Sequence, residues 1–271
     1  MKDIQWFRRE IQSGRALFGP CISFLDSRVI DCLADSVDFF WIDMEHTGMT
    51  VETVSAHLVS ARAHEVPAIV RVVGSGSHFI KPVLDTGAEG IIVPQVRSAE
   101  EVRQIVSDCR YPPQGRRGFG PLVPSNYGRD VSVEFIRRTN RQLYVCAQVE
   151  NLEALSEIDD IVAVRGLDAI VLGPADLSAS LGYPLQTRHP KVMAAMQTII
   201  SKARAAGLQV GAGLPDDPEM IAEMIQRGVQ WMHTGGDGGY MWQHFEGVAA
   251  AARALAGGKK KRPARVGTPQ Q

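Results

Sequence analysis

Much of what would tie a chain of 271 residues to a membrane, a disulfide framework or a nucleotide is missing from this sequence. No run of eighteen apolar residues occurs, so no membrane-spanning helix is encoded. The opening residues, Met1-Lys-Asp-Ile-Gln-Trp-Phe-Arg-Arg-Glu10, are mixed in charge and lack the apolar stretch of an export signal. A cytoplasmic location is therefore expected. Only four cysteines are present, Cys21, Cys32, Cys109 and Cys146, with no C-x-x-C pair, so neither a zinc knuckle nor a redox dithiol is encoded. No G-x-G-x-x-G follows the first strand-like run, and Gly74-Ser-Gly76 is too short a match to read as anything but a loop.

Excess charge of one sign is missing too, since 29 basic residues face 30 acidic ones. The balance hides an asymmetry, because Lys259, Lys260, Lys261, Arg262 and Arg265 crowd into the last fifteen positions. Without them 24 basic residues remain against 30 acidic, a net charge of about −6. An acidic body argues against nucleic acid as a partner, no membrane partner is expected, and residues 257–271 read as a basic, solvated tail.

What is present is a hydrophobic content of 45% with 26 glycines, enough to bury a large core. Eight short β-branched or aromatic runs recur: Phe18–Leu25, Phe39–Asp43, Pro67–Val73, Gly90–Val96, Tyr144–Glu150, Leu167–Gly173, Leu208–Leu214 and Val229–Thr234. A helix-like segment follows each, which is the pattern of parallel βα units. Gly166, Gly207 and Gly228 each stand directly before such a run, and Gly87 stands three positions ahead of one, where a helix would end in the left-handed conformation. Ser98-Ala-Glu-Glu101 reads as a capping box that opens the helix after the fourth strand. Eight such units favour a closed (β/α)8 TIM barrel, an α/β fold, as a single domain over residues 1–256. The stretch Tyr111 to Gly128 is overlong for a connection and is expected to act as a lid or binding segment.

In such a barrel the chemistry belongs at the carboxyl ends of the strands. There the sequence offers Asp43-Met-Glu45-His46, Arg71, Gln148-Val-Glu150 and Asp176. Singly, each has a plain structural explanation: a helix cap for Asp176, an ion pair for Arg71, a satisfied loop histidine for His46. Together they put several carboxylates on one rim, where they repel one another unless a cation intervenes. Glu150 and Asp176 are hard oxygen donors, so a divalent metal, Mg2+ or Mn2+ and also Co2+, is the expected cofactor. Such an ion can hold a 2-oxo acid through its carboxylate and ketone oxygens and stabilise the enolate that forms from it. Arg71 can donate to the same oxygen, His46 can serve as general base, and Asp43 is expected to orient the imidazole. The chain has seven lysines, and none falls at the carboxyl end of an expected strand, which disfavours a Schiff-base mechanism.

The segments Phe39-Phe-Trp-Ile-Asp-Met-Glu-His46, Val70-Arg71-Val, Tyr111-Pro-Pro-Gln-Gly-Arg-Arg-Gly118, Gln148-Val-Glu150 and Gly173-Pro-Ala-Asp-Leu-Ser-Ala-Ser-Leu-Gly182 resemble the HpcH/HpaI aldolase family over about residues 5 to 250. The resemblance implies a class II pyruvate aldolase, a lyase that reversibly cleaves 4-hydroxy-2-oxo acids to pyruvate and an aldehyde. It implies a homo-oligomer as well, a hexamer built as a trimer of dimers that exchange a helix. Position by position, it implies metal ligands at Glu150 and Asp176, a base at His46 partnered by Asp43, and Arg71 on the pyruvyl oxygens. Gln148, Gly173, Pro174 and Ala175 would line the pyruvate pocket, and Leu214 would close the aldehyde side.

Two departures from the family pattern touch the expected substrate mouth. Cys21 stands about where relatives often have a tryptophan, and Leu122-Val-Pro124 replaces an arginine or alanine pair. The family supplies no role for the basic tail. Other readings of the same residues are a lyase acting on malyl-CoA or citramalyl-CoA type thioesters, and a non-catalytic barrel that binds metal or pyruvate. Gly235-Gly-Asp-Gly-Gly239 lies where barrels often bind phosphate, but Asp216, Asp217 and Asp237 would repel one, so a plain turn is expected.

Overall fold

Each of the eight runs carries one strand: β1 Leu17–Ile22, β2 Phe40–Asp43, β3 Ala68–Arg71, β4 Gly90–Val93, β5 Tyr144–Val149, β6 Ala169–Leu172, β7 Gln209–Leu214 and β8 Trp231–Gly236. The computed structural model describes residues 2–256, and the basic tail lies outside them. Neighbouring strands pair in parallel, and β8 returns to β1 to close the barrel. Every residue of β2, β3, β4 and β6 is buried. Helices cover the outside and side chains fill the inside, so these strands are apolar throughout rather than alternating.

Two cores result. One lies between the barrel wall and its outer helices, and the other fills the barrel, where Trp41, Ile69, Ile92, Tyr144, Val171 and Trp231 meet. The first helix, Ile4–Gln12, plugs the amino end. Its buried Phe7 meets Phe39, Tyr144 and Trp231 edge-on, at centroid distances of 5.2, 5.7 and 5.6 Å. Such edge-to-face packing adds to the gain from burial alone.

The sequence punctuation holds. Gly87, Gly166, Gly207 and Gly228 all have positive φ, between 80° and 112°. Ser98 accepts a hydrogen bond from the Glu101 N–H at 3.2 Å, while the Glu101 carboxylate reaches back one residue further than a standard capping box, to the Arg97 N–H at 2.8 Å.

Several strands are shorter at their carboxyl ends than the apolar pattern suggests. Beyond β4 the cause is visible: Gln95 takes a left-handed backbone, φ 55°, and its N–H goes to Glu150 instead of to a neighbouring strand. The overlong segment is also not where a lid was expected. Val123 and Pro124 line a cavity of about 260 Å3 with Asp3, Ile4 and Glu89, at the amino end of the barrel. Neither the segment nor Leu122-Val-Pro124 borders the carboxyl-end cavity of its own chain.

The last described helix, Asp237–Leu255, leaves the barrel. Only its first residue is buried: the Asp237 carboxylate accepts the N–H groups of Ser23 and Phe24, each at 2.9 Å, and the Ser23 hydroxyl at 2.5 Å. The expected glycine turn is therefore a strand end running into a helix, stapled to the β1 loop by Asp237. Met241, Trp242, Phe245 and Val248 on the same helix are exposed. Among the described residues no helix is long and apolar enough to cross a membrane.

Candidate active site

At the carboxyl end of the barrel lies a cavity of about 650 Å3 bordered by Arg71, Gln148, Asp176, Leu214 and His46, with the Gly173-Pro174-Ala175 turn forming one wall. All of the expected site residues except Asp43 and Glu150 border it directly, and those two stand immediately behind its lining.

The register of β2 on β3 sets Asp43 beside Arg71. Their side chains form a two-pronged ion pair, Nε to Oδ1 and Nη2 to Oδ2, both 2.8 Å, with both groups buried. Asp43 also accepts the Glu45 N–H at 3.0 Å. Its oxygens are thus committed, and it does not orient His46 as the sequence suggested. The acid nearest His46 is Glu45, whose Oε2 lies 3.6 Å from His46 Nε2 and 2.9 Å from Arg71 Nη1. The imidazole side chain itself is 63% exposed, open to the cavity mouth.

Glu150 is buried at the far wall. Its Oε1 accepts the Gln95 N–H at 2.8 Å, and its Oε2 accepts from Gln148 Nε2. A Cβ on Gly173 would fall 2.0 Å from that Oε2, so glycine is what lets the carboxylate stand against the turn that leads to Asp176. Asp176 lies in the first turn of the Pro174–Ser180 helix, which begins without a side-chain cap, so capping does not explain it.

The electrostatics link three acids. Burial pushes the Glu150 carboxyl up to about 7, against the hydrogen bonds from Gln148 and Gln95, and the charges of Glu45 and Asp176 push the same way. Burial likewise raises Glu45, partly opposed by Arg71 and His46, with Asp43 and Asp176 adding to the rise. Carboxylates that disfavour one another's ionisation are a donor set in need of positive charge. Glu150 and Asp176 could hold a divalent cation here, and the Gly173 cradle fits a carboxylate aimed that way. Among the described residues no group of three or more His, Cys, Asp or Glu side chains is arranged to hold a metal, so any such site rests on two carboxylates. Two protein ligands leave coordination positions for water and substrate oxygens.

Cys21 borders the cavity, but burial and the nearby Asp43 charge push its thiol up to about 12, which keeps it protonated and unreactive. Sequence reasoning gave no role to Glu45, Gln95, Trp41 or His233. Strand parity was the available signal for two of them: Trp41 lies two residues before the inward-facing Asp43, and His233 two residues after the inward-facing Trp231.

The chain is similar to known proteins over most of its length. A family model described as HpcH/HpaI aldolase/citrate lyase matches residues 26–243. A protein of Roseobacter denitrificans named hydroxypyruvate/pyruvate aldolase is 33% identical, over 90% of this chain and 95% of its own. One of Escherichia coli K12 named 2-keto-3-deoxy-L-rhamnonate aldolase is 35% identical, over 85% of this chain and 86% of its own. Among solved structures, the citrate synthase SbnG is 36% identical with a TM-score of 0.82, covering 93% of this chain and 98% of its own.

Proposed function

Because the chain belongs to the HpcH/HpaI aldolase/citrate lyase family, we propose that it is a divalent-metal-dependent class II aldolase that reversibly cleaves 4-hydroxy-2-oxo acids to pyruvate and an aldehyde. The observation that carries this reading is the Glu45 and Glu150 carboxylates, both raised in pKa by burial and by neighbouring acids that include Asp176, beside a buried arginine at the mouth of the barrel.

Glu150 and Asp176 hold the cation, which is Mg2+, Mn2+ or Co2+. When bound, it supplies Lewis acidity at the ketone oxygen of the 2-oxo acid. Arg71 directs an N–H group not engaged by Asp43 or Glu45 at that oxygen. An arginine carries five N–H donors, and the Asp43 fork occupies two of them while fixing the plane of the guanidinium. Charge that develops on the substrate oxygen as the carbon–carbon bond breaks therefore meets a preorganised cationic donor. Gln148 and the Gly173-Pro174-Ala175 turn line the pocket for the 2-oxo acid, and Leu214 closes the aldehyde side.

His46 is the general base, directly or through one water. In cleavage it accepts the C4 hydroxyl proton, and in synthesis it takes a proton from the pyruvate methyl. The imidazolium so formed has its Nε2 toward Glu45, which stabilises the positive charge. Asp43 acts on the reaction through Arg71. The free thiols suit the cytoplasmic setting of this reading. A homo-oligomer, a hexamer of helix-exchanging dimers, is part of it too, supported by the apolar side chains the last helix leaves exposed.

Excess EDTA should abolish pyruvate-forming cleavage, and Mg2+, Mn2+ or Co2+ should restore it. Retained turnover in EDTA would sink the proposal. His46→Ala should slow exchange of the pyruvate methyl protons with solvent by about 100-fold or more while leaving Mn2+ binding within a few-fold. The likeness to a citrate synthase favours one second reading, in which an acetyl thioester supplies the carbon nucleophile. Release of free coenzyme A from acetyl-CoA and oxaloacetate would support it.

A further inference from the structure

Leu185 borders the carboxyl-end cavity, and neither the metal nor the base accounts for it. It lies after β6, in the connection between the Pro174–Ser180 and Pro190–Ala205 helices. The Gln186 N–H donates to the Tyr183 carbonyl at 3.0 Å, so Tyr183-Pro184-Leu185-Gln186 closes as a β-turn. Proline fixes φ at about −65° in the second place of that turn, and Leu185 in the third has φ 63°. This is the type II pattern, whose third place suits glycine or asparagine. A leucine there is strained, because its Cβ crowds the backbone in the left-handed region.

The side chain finds no burial in its own chain to offset that strain, for the residue is 73% exposed. A single exposed leucine is ordinary on a protein surface, but one in a conformation that asparagine would relax is not. Nor is the loop free to shed the strain. The Tyr183 ring stacks on His189 with centroids 3.7 Å apart and planes at 15°, the Tyr183 N–H donates to the Ser178 carbonyl at 2.8 Å, and the His189 N–H donates to the Gln186 carbonyl at 2.9 Å. A fixed turn therefore holds an apolar side chain at the cavity.

The neighbours of Leu185 along the cavity decide what it meets. Leu214 and Pro215 at the end of β7, and Met220 in the first turn of the Pro218–Arg227 helix, also border it. In the closed ring β2 and β3 stand opposite β6 and β7, so the side with His46 and Arg71 faces an apolar one. On the apolar side Asp176 and Thr187 are the polar residues that border the cavity among those described, and Asp176 is the expected metal ligand. The next cation in the chain, Arg188, does not border it and donates to Asp217 Oδ2 at 3.0 Å. A carboxylate on the aldehyde would thus find no free cation on this side, and a polyhydroxylated chain would leave most of its hydroxyls facing hydrocarbon. An alkyl chain would cover Leu185 and release water from both.

We propose that Leu185 determines specificity on the aldehyde side by packing on an alkyl chain, so that the preferred acceptor is an aliphatic aldehyde rather than a hydroxylated or carboxylated one. The inference rests on the aldolase reading, and the experiment separates the two. The kcat/KM for aldol addition of pyruvate by the Mn2+-loaded full chain is measured with propanal, butanal and pentanal, and with glycolaldehyde and succinic semialdehyde as polar references. Wild type, Leu185→Asn and Leu185→Met are compared, and the same proteins without metal are melted and sedimented.

In wild type kcat/KM should rise about twofold or more with each methylene and exceed that of both polar aldehydes. In Leu185→Asn the rise with chain length should largely vanish, while the melting temperature should go up by about 2 °C because asparagine accepts the left-handed backbone. Leu185→Met keeps both the apolar bulk and the strain, so it should resemble wild type in both measurements. A flat series in wild type would overturn the inference, and so would an unchanged series in Leu185→Asn or a Leu185→Asn chain that melts below wild type. A smaller sedimenting species in Leu185→Asn would assign the side chain to a contact between copies and overturn it as well. Turnover with a flat series removes this inference alone, whereas no turnover of any aldehyde removes the aldolase reading and the inference with it.

Discussion

Glu150 is the residue whose protonation the fold controls most directly at the site. In the unfolded chain its carboxyl has an ordinary value near 4.5, and in the folded chain burial lifts it to about 7. Between those values the folded protein holds a proton that the unfolded chain has released. The stability this contributes is fully present below about pH 4.5 and is lost as pH rises to about 7. The loss in the metal-free protein is roughly 3 kcal/mol. A cation that binds the ionised carboxylate counters the loss. Mn2+ should therefore raise the melting temperature more at pH 7.5 than at pH 5, and Glu150→Gln should remove most of that difference. Thermal melts in EDTA and in Mn2+ at the two pH values test this, and equal Mn2+ stabilisation at both would contradict it. At the same scale, the pairing of Asp43 with Arg71 instead of His46 could not be read from the sequence. His46 is three residues from Asp43 and Arg71 is twenty-eight, but the strand register sets Asp43 and Arg71 side by side and turns the exposed imidazole away.

The turn between β6 and the Pro174–Ser180 helix joins both expected metal ligands through one glycine. Gly173→Ala would bring a methyl to 2.0 Å from Glu150 Oε2, a distance no contact tolerates, so the carboxylate must move. The backbone there has φ −109°, which alanine adopts freely, so the barrel itself should stand. Gly173→Ala should weaken Mn2+ binding by tenfold or more while leaving the circular dichroism spectrum and cooperative melting intact. Calorimetric titration with Mn2+ checks it, and unchanged affinity would mean that Glu150 does not face the ion. Elements were the most legible level of the sequence, because parallel barrel strands are apolar on both faces and the glycines that stop the helices have one conformational use. Strand ends were less legible. Val72-Val73 and Pro94-Gln95-Val96 look like strand, but Gln95 gives its N–H to Glu150, a pairing 55 residues away that no local pattern announces. The end of the barrel reached by the long segment could have been deduced. Ser98 opens a helix at the carboxyl end, so whatever follows that helix after Cys109 must begin at the amino end.

At the scale of the whole molecule, the last helix has no place on its own barrel. Asp237 anchors its first turn to the β1 loop, and then Met241, Phe245 and Val248 repeat at a spacing of four and three, with Trp242 beside them, to make one apolar face open to water. Apolar patches of that kind on a folded chain mark contact surfaces. Where the patch lies on a helix that points away from its own domain, an exchange between two copies covers both faces with the same symmetric contact. The periodicity was visible in the sequence, but which surface the face would meet was not, since nothing local distinguishes a helix that packs on its own barrel from one that reaches a neighbour. The full chain should therefore sediment as a multimer. Charging the face with Trp242→Lys and Phe245→Lys should yield a smaller species that keeps its far-ultraviolet circular dichroism, because neither side chain contributes to either core of the barrel. Sedimentation velocity over a hundredfold range of concentration distinguishes the outcomes, and a wild-type chain that stays monomeric throughout would show that this face is covered by something other than a second copy.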